Sequence, residues 1–264
     1  MNNIWKQTDL NKQEKAAFYQ ALAQSTLGIV GKDEKGEFGK AIGTATFVEI
    51  EDSKYVLTAA HVIEGCTPSE LRFLLPFEHA QIVETPPVLS SVQQITMREP
   101  LDFESLRTDA TLDVALLTLS RTAKLKSFWT FREIRRIRKR PEPPQQFVMM
   151  GCPSQRSIMF NGNLMVLQNI DYPEVVPDNM NLPGFDPEIH FLTDFPSADK
   201  FYPGGYSGSG LWADDVSDTA IWQPRPVFCG MELSYYSRRQ LLNILNANAI
   251  LDFIEGTEPS QIDV

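Results

Sequence analysis

A histidine, an aspartate and a serine stand at the ends of short apolar segments, and together they could perform nucleophilic catalysis. His61 follows the apolar run Tyr55–Thr58 within YVLTAAHVIEG. Asp113 precedes the run Val114–Leu119 within LDVALLTL, and Ser207 lies between glycines in GGYSGSGLW. An imidazole can take the proton of a serine hydroxyl, and a carboxylate can fix the tautomer of that imidazole. These residue types make acyl transfer the first chemistry to consider.

Each of the three residues also has an ordinary structural interpretation. A histidine at a strand end is usually structural, and serines between glycines are common in flexible loops. Asp102 and Asp109 are alternative acids near Asp113, although both are more typical of a surface. The apolar neighbours of Asp113 would desolvate its carboxylate unless that group had a partner, and an imidazole N–H is a suitable one. Taken singly, the three motifs leave the chemistry open.

The order in which the motifs occur is more specific than any one motif. The segment TAAH (58–61) comes first, DVALLTL (113–119) follows, and GYSGSG (205–210) comes last. In this order they resemble the histidine, aspartate and serine motifs of the chymotrypsin/trypsin superfamily of serine proteases. Hydrolases of the α/β fold use the order Ser–Asp–His, and subtilisins use Asp–His–Ser. The order of this chain matches neither of those two groups.

Three further segments extend the resemblance over about residues 25–255. GTATFV (43–48) is similar to the small-residue strand that precedes the histidine in bacterial trypsin-like proteases. FVMMGCP (147–153) is similar to a strand of those proteases that ends in Gly-x-Pro, and VFCGMEL (227–233) resembles the strand beside the substrate. In motif style the chain is closest to bacterial intracellular trypsin-like peptidases.

The resemblance implies an all-β fold of two six-stranded antiparallel β-barrels with the active site in the cleft between them. It implies a serine endopeptidase in which His61, Asp113 and Ser207 form the catalytic triad and an acyl-enzyme intermediate is hydrolysed. The backbone amides of Gly205 and Ser207 would form the oxyanion hole, in a backbone shape that a Cβ hinders. Such chemistry needs neither a metal nor an organic cofactor, and the expected partner is a protein or peptide substrate.

The resemblance also implies a substrate pocket. Phe201 falls at the pocket-floor position, Tyr202 follows it, and Glu232 and Leu233 lie on the wall strand. One interpretation of Glu232 is a solvent-facing side chain on an edge strand, since a buried lone carboxylate is costly. The other is that Glu232 faces the pocket and selects arginine or lysine before the cut.

The remaining patterns predict the elements that would hold these residues. Thr8–Gln24 lacks Gly and Pro and clusters its apolar residues as a helix would. Beyond it, short β-branched runs separated by Gly, Pro, Asp and Asn predict strands. Arg238–Ile254 has apolar residues at helical spacing and is followed by Gly256. We predict an N-terminal helical extension (1–24), a first barrel (25–128), a linker (129–146), a second barrel with a C-terminal helix (147–256) and a tail (257–264).

Net charge, hydropathy and cysteine content exclude several classes of function. The 264 residues carry a formal net charge of −10, which suits a phosphate backbone poorly, so no nucleic acid is expected. No run approaches the roughly 18 apolar residues of a membrane span, and the polar N-terminus lacks the apolar stretch of a signal peptide. We therefore expect a cytoplasmic protein with no membrane contact. Three widely spaced cysteines without a CxxC pair argue against a disulfide framework or a zinc site.

Two alternatives to a constitutive protease stay open. One is a catalytically silent trypsin-like barrel that acts as a protein-binding module. The other is a protease under the control of an activating or inhibitory protein partner. The N-terminal helix and the basic run at 132–140 would then be docking elements, although that run is also typical of a solvated linker.

Overall fold

The structure is a computed structural model that describes residues 12–32, 38–76, 81–85, 89–95, 98–99, 101–160, 163–196, 202–214 and 226–256. Within these ranges the chain forms two α-helices, α1 (Lys12–Ala23) and α2 (Ala247–Gly256). Neither helix is both long enough and apolar enough to cross a membrane.

The strands of the described ranges are short, as the sequence predicts. The first eight are β1 (Thr26–Lys32), β2 (Phe38–Ile50), β3 (Ser53–Ala59), β4 (Arg72–Leu74), β5 (Gln81–Thr85), β6 (Leu89–Ile95), β7 (Arg98–Glu99) and β8 (Phe103–Asp109). The next five are β9 (Val114–Leu119), β10 (Arg132–Glu133), β11 (Val148–Gly151), β12 (Ser157–Phe160) and β13 (Asn163–Asp171). The last five are β14 (Val175–Val176), β15 (His190–Asp194), β16 (Gly210–Asp214), β17 (Pro226–Tyr236) and β18 (Leu241–Asn246).

These strands pair into two sheets. The first sheet has the order β7-β4-β1-β2-β3-β9-β8, and β10 adds to β2 as a short parallel pair. The second has the order β14-β15-β18-β17-β16-β11-β13-β6-β5, with β12 also on β13. Apart from β10, the pairs are antiparallel. The prediction of an all-β chain with two antiparallel systems and a helix near each end is confirmed.

The hairpin β5–β6 comes from the first half of the chain but pairs with the second sheet. Strands β5 and β6 lie in the segment predicted to build the first barrel, yet β6 pairs antiparallel with β13 of the second sheet. The pairing runs over six registered residue pairs, from Met165 with Ile95 to Ile170 with Ser90. The hairpin therefore ties the two halves together through backbone hydrogen bonds.

The C-terminal helix begins later than predicted. The sequence predicts a helix over Arg238–Ile254, but its first half is strand β18, which lies between β15 and β17. All six residues of Leu241–Asn246 are buried, so the segment has no polar face to present to solvent. A run buried on both faces matches helical and strand spacing equally well. Helix α2 starts only after Asn246, whose side chain accepts a hydrogen bond from the Ala249 amide as an N-cap.

Helix α1 packs into the body of the protein. Phe18 and Leu22 are fully buried, and the Tyr19 hydroxyl lies 2.6 Å from that of Tyr172 at the end of β13. The Arg132 guanidinium donates to the carbonyl of Ala21 in the last turn of the helix. The apolar face of α1 is thus used inside the chain and not left for a partner.

The basic run is occupied largely by intramolecular contacts. Arg136 contacts Asp252 and Glu255 on α2, and Arg140 contacts Asp178 at 2.6 Å. Exposed ion pairs of this kind contribute little to stability, because water and salt screen them. Because of these contacts, much of the positive charge faces acids and carbonyls of the same chain. This weakens the hypothesis that the basic run binds nucleic acid.

A substitution in α1 tests its place in the core. Leu22→Ala should lower the free energy of unfolding by roughly 2–5 kcal/mol, because Leu22 is fully buried. Ala16→Ser, on the exposed face of the same helix, should cost less than about 1 kcal/mol. Urea unfolding of both variants measures the difference, and equal small losses would contradict the packing described here.

Candidate active site

His61, Asp113 and Ser207 line one open cavity of about 440 Å³. His61 lies in a single 3-10 turn (Ala60–Val62) directly after β3, and Asp113 lies in the turn between β8 and β9. Ser207 lies in the loop before β16, in the second half of the chain. The three motifs that the sequence spreads over the chain are therefore brought to one cleft.

The imidazole of His61 is held by Asp113 through two contacts. Nδ1 of His61 lies 2.7 Å from Oδ2 of Asp113, and the backbone N–H of His61 donates to Oδ1 at 2.9 Å. This hydrogen bond raises the pKa of His61 above its ordinary value, while burial opposes the shift. The carboxylate thus orients the ring and favours its protonated form.

The turn that carries Asp113 is itself built around a second acid. Oδ1 of Asp109 accepts the amides of Thr111 and Leu112, which closes the turn between β8 and β9. Asp113 has φ +53°, in the left-handed region that Asp tolerates better than most residues. Of the acids considered from sequence, Asp113 reaches His61, whereas Asp109 supports the turn that presents it.

The loop before Ser207 is a tight turn that requires glycine. The Tyr206 amide donates to the Pro203 carbonyl at 2.9 Å, and Gly205 has φ +95°, as at the third position of a type II turn. A Cβ on Gly205 would lie 2.4 Å from the Cys152 carbonyl oxygen. Any side chain at this position would therefore meet both backbone strain and a steric clash.

The carbonyls of this loop are occupied in a way that orients its amides. The Ser154 amide donates to the Gly204 carbonyl, and the Ser209 amide donates to the Tyr206 carbonyl. In a trans peptide the N–H points opposite to the C=O. The N–H groups of Gly205 and Ser207 therefore point away from these anchors, and within the described residues neither is bonded to another group.

Thr44 of β2 holds the same loop from the first sheet. Its amide donates to the Ser207 carbonyl at 2.9 Å, and its hydroxyl donates to the Gly205 carbonyl at 2.7 Å. The hydroxyl also accepts the Cys152 amide, and Thr58 donates to the Thr44 carbonyl. Thr44 is not among the site residues that the sequence predicts, because it is 161 residues from Gly205 in the chain. The small residues of GTATFV are the one local sign of a close approach.

Glu232 is buried beside the three predicted triad residues. Its exposed fraction is 2%, and β17 lies between β16 and β18, so the interpretation as a solvent-facing side chain on an edge strand is wrong. Burial raises the pKa of Glu232 to about 8; His61 and Ser207 partly oppose this shift, and Asp113 adds to it. Near neutral pH the protonated carboxyl is therefore the major form.

The other predicted pocket residues lie on the same cavity where the structure describes them. Leu233 lines it, and the Leu233 carbonyl accepts the Ser207 hydroxyl at 3.2 Å. Tyr202 is exposed and packs edge-on against Tyr235, with ring centroids 5.7 Å apart. Phe201 lies outside the described residues. Searched over the described ranges, no three His, Cys, Asp or Glu side chains cluster as a metal site.

The overall structure is similar to solved structures of known proteins. Human heparin binding protein matches with a TM-score of 0.58 at 15% identity, over 93% of this chain and 96% of that chain. A scabies mite inactivated protease paralogue matches with a TM-score of 0.59 at 15% identity, over 90% and 96% of the two chains. No family model and no curated relative matches the sequence.

These likenesses establish the fold. The chain has the two-barrel fold of chymotrypsin-like serine proteases, as the resemblance in its motifs implies. The two structures named above are a human protein and an inactivated protease paralogue of a mite, and they do not support a bacterial intracellular subtype. At this level of identity the likeness shows the fold alone, and an activity has to be argued from the site.

The buried carboxyl of Glu232 predicts a pH-dependent stability difference. Because its folded pKa is raised to about 8, its stabilising contribution is complete below the unfolded pKa near 4.5 and is lost as pH rises towards 8. Gln does not titrate, so the free energy of unfolding of Glu232→Gln should not show this loss. Relative to the wild type, the variant should therefore become more stable by roughly 3–5 kcal/mol as the pH rises from 5 to 9. Urea midpoints measure this, with exposed Glu188→Gln as control, and parallel curves would contradict it.

Proposed function

We propose that this protein is a serine endopeptidase that hydrolyses peptide bonds through an acyl-enzyme intermediate. The observation that carries the proposal is the His61–Asp113 pair, which shares a cleft with Ser207. The amides of Ser207 and of nearby Gly205 accompany it, and neither is bonded within the part of the chain that the structure describes. Nucleophile, base, orienting acid and oxyanion donors are the parts that acyl transfer requires.

Each residue has a role that its contacts support. The Ser207 hydroxyl, which rests on the Leu233 carbonyl, turns towards His61 and gives up its proton as it attacks the scissile carbonyl carbon. Asp113 fixes the tautomer of His61 and stabilises the imidazolium that forms. The amides of Gly205 and Ser207 bind the oxyanion, His61 then protonates the leaving amine, and water releases the acyl group.

Substrate binding is assigned to the aromatic and acidic walls of the cleft. Tyr202, which is exposed, and Tyr235, which is half-buried, offer an apolar surface on this cleft, and Glu232 is buried beside the reacting groups. A basic group of the substrate that reached Glu232 would favour its ionised form and gain a charge-assisted hydrogen bond. Preference for arginine or lysine before the cut is therefore part of the proposal.

The competing function is a silent barrel that binds other proteins. The likeness to an inactivated protease paralogue favours it, as does the resting contact of the Ser207 hydroxyl with Leu233 instead of His61. Binding of a polyanion such as heparin is not favoured, because the net charge is −10 and much of the basic run is paired internally.

The location proposed for this activity is the cytoplasm. Cys66, Cys152 and Cys229 are all free thiols, and the last two are buried. Burial raises the pKa of Cys152 and of Cys229 to about 12, so these thiols are inert packing groups. Free thiols persist most readily where the compartment is reducing.

Labelling with a fluorophosphonate probe tests the proposal. We expect a single adduct, mapped by mass spectrometry to Ser207, which is lost in Ser207→Ala and forms about 10²–10⁴-fold more slowly in His61→Ala, which lacks the general base. Ser209→Ala, in the same loop, is the matched control and should label as the wild type does. A folded wild type that fails to label would contradict the proposal and favour the silent barrel.

A further inference from the structure

Tyr206 lies between Gly205 and Ser207, the two residues whose amides would bind the oxyanion. Its side chain is fully buried, whereas Ser207 lines the cleft. The buried ring and the cleft-lining serine thus belong to adjacent residues, so contacts that fix the Tyr206 ring also restrain the backbone that carries the two amides.

The phenol of Tyr206 is anchored by a buried acid. Its hydroxyl donates to Oδ2 of Asp171 at the end of β13, and Nδ2 of Asn169 donates to the same oxygen at 2.6 Å. Asp171 is only 2% exposed, and a buried carboxylate is costly unless it is hydrogen-bonded. Burial and the neighbouring Asp171 raise the pKa of Tyr206 well above its ordinary value, so the phenol stays the donor.

The Tyr206 ring packs so closely against Gly151 that this position has no room for a side chain. A Cβ on Gly151 of β11 would lie 2.5 Å from the Cδ1 atom of Tyr206. Phe195 packs against the ring edge-on, with centroids 5.6 Å apart. Strands β11 and β13 of the second sheet thus define both the place of the ring and the direction of its hydroxyl.

We propose that Tyr206 and Asp171 are positioning residues that hold the loop in its oxyanion-binding shape in the free protein. This inference rests on the proposed function. Thr44 fixes the loop carbonyls from the first sheet, and the Tyr206–Asp171 pair fixes the loop from the second. All of these contacts lie within one chain.

Amide hydrogen exchange of the full chain tests this without requiring turnover. We compare the wild type with Tyr206→Phe, which keeps the ring and removes the hydroxyl, and with Asp171→Asn, which keeps the shape and removes the charge. Tyr236→Phe is the matched control, because its hydroxyl donates to the Pro183 carbonyl outside the loop. Peptides covering residues 202–214 report the loop, and peptides covering 226–246 report β17 and β18.

We expect exchange in the loop to rise at least tenfold in Tyr206→Phe and by a smaller factor in Asp171→Asn, while β17 and β18 keep their protection. With an ester substrate, kcat should fall about 10–100-fold at a nearly constant KM, up to the loss seen when one oxyanion donor is removed. Loop exchange that stays at the wild-type rate, or that rises equally in β17 and β18, would overturn the inference.

The two proposals fail separately. A wild type that does not label at Ser207, but whose loop loses protection in Tyr206→Phe, would refute the peptidase and keep the anchor. A wild type that labels at Ser207, but whose loop is unaffected by Tyr206→Phe, would keep the peptidase and refute the anchor.

Discussion

The candidate site depends on the hydrogen bonds with which Thr44 joins the two sheets. The amide and hydroxyl of Thr44, on the first sheet, hold the carbonyls of Ser207 and Gly205 in the loop that leads into the second sheet. The approach is so close that a Cβ on Gly208 would lie 2.0 Å from the Thr44 carbonyl oxygen. His61 and Asp113 lie in turns next to strands of the first sheet, so this joint helps to set the distance between base and nucleophile. The β5–β6 hairpin, which pairs with β13, braces the same two halves elsewhere.

Three acids around the loop illustrate how one chemical group acquires different roles from its surroundings. Asp113 is partly exposed and bonded to an imidazole, so it acts as an orienting charge. Asp171 is buried with a phenol and an amide as donors, so its role is structural. Glu232 is buried with Oε2 unbonded within the described residues, and burial raises its pKa to about 8. The different roles of these three carboxyl groups therefore follow from burial and partners, not from residue type.

Sequence reasoning reached the parts of the site that are local in the chain. The segments around His61, Asp113 and Ser207 carry their own turns and strands, and their order supports the resemblance that implies a two-barrel fold. It could not reach Thr44, Asp171 or Gly151, whose roles arise from contacts between distant segments. The start of α2 was missed for a related reason: Leu241–Asn246 is buried on both faces, which no periodicity distinguishes from a helix.

The most direct test of the account is the intact mass of the protein during reaction with an activated ester such as p-nitrophenyl acetate. The account predicts one acetyl group per chain, located on Ser207, which forms faster than water removes it and which disappears as the ester is used up. Ser207→Ala should show neither the adduct nor the burst of p-nitrophenol. Two results would contradict a serine peptidase built on this cleft: a folded wild type that forms no adduct, or a Ser207→Ala variant that still forms one.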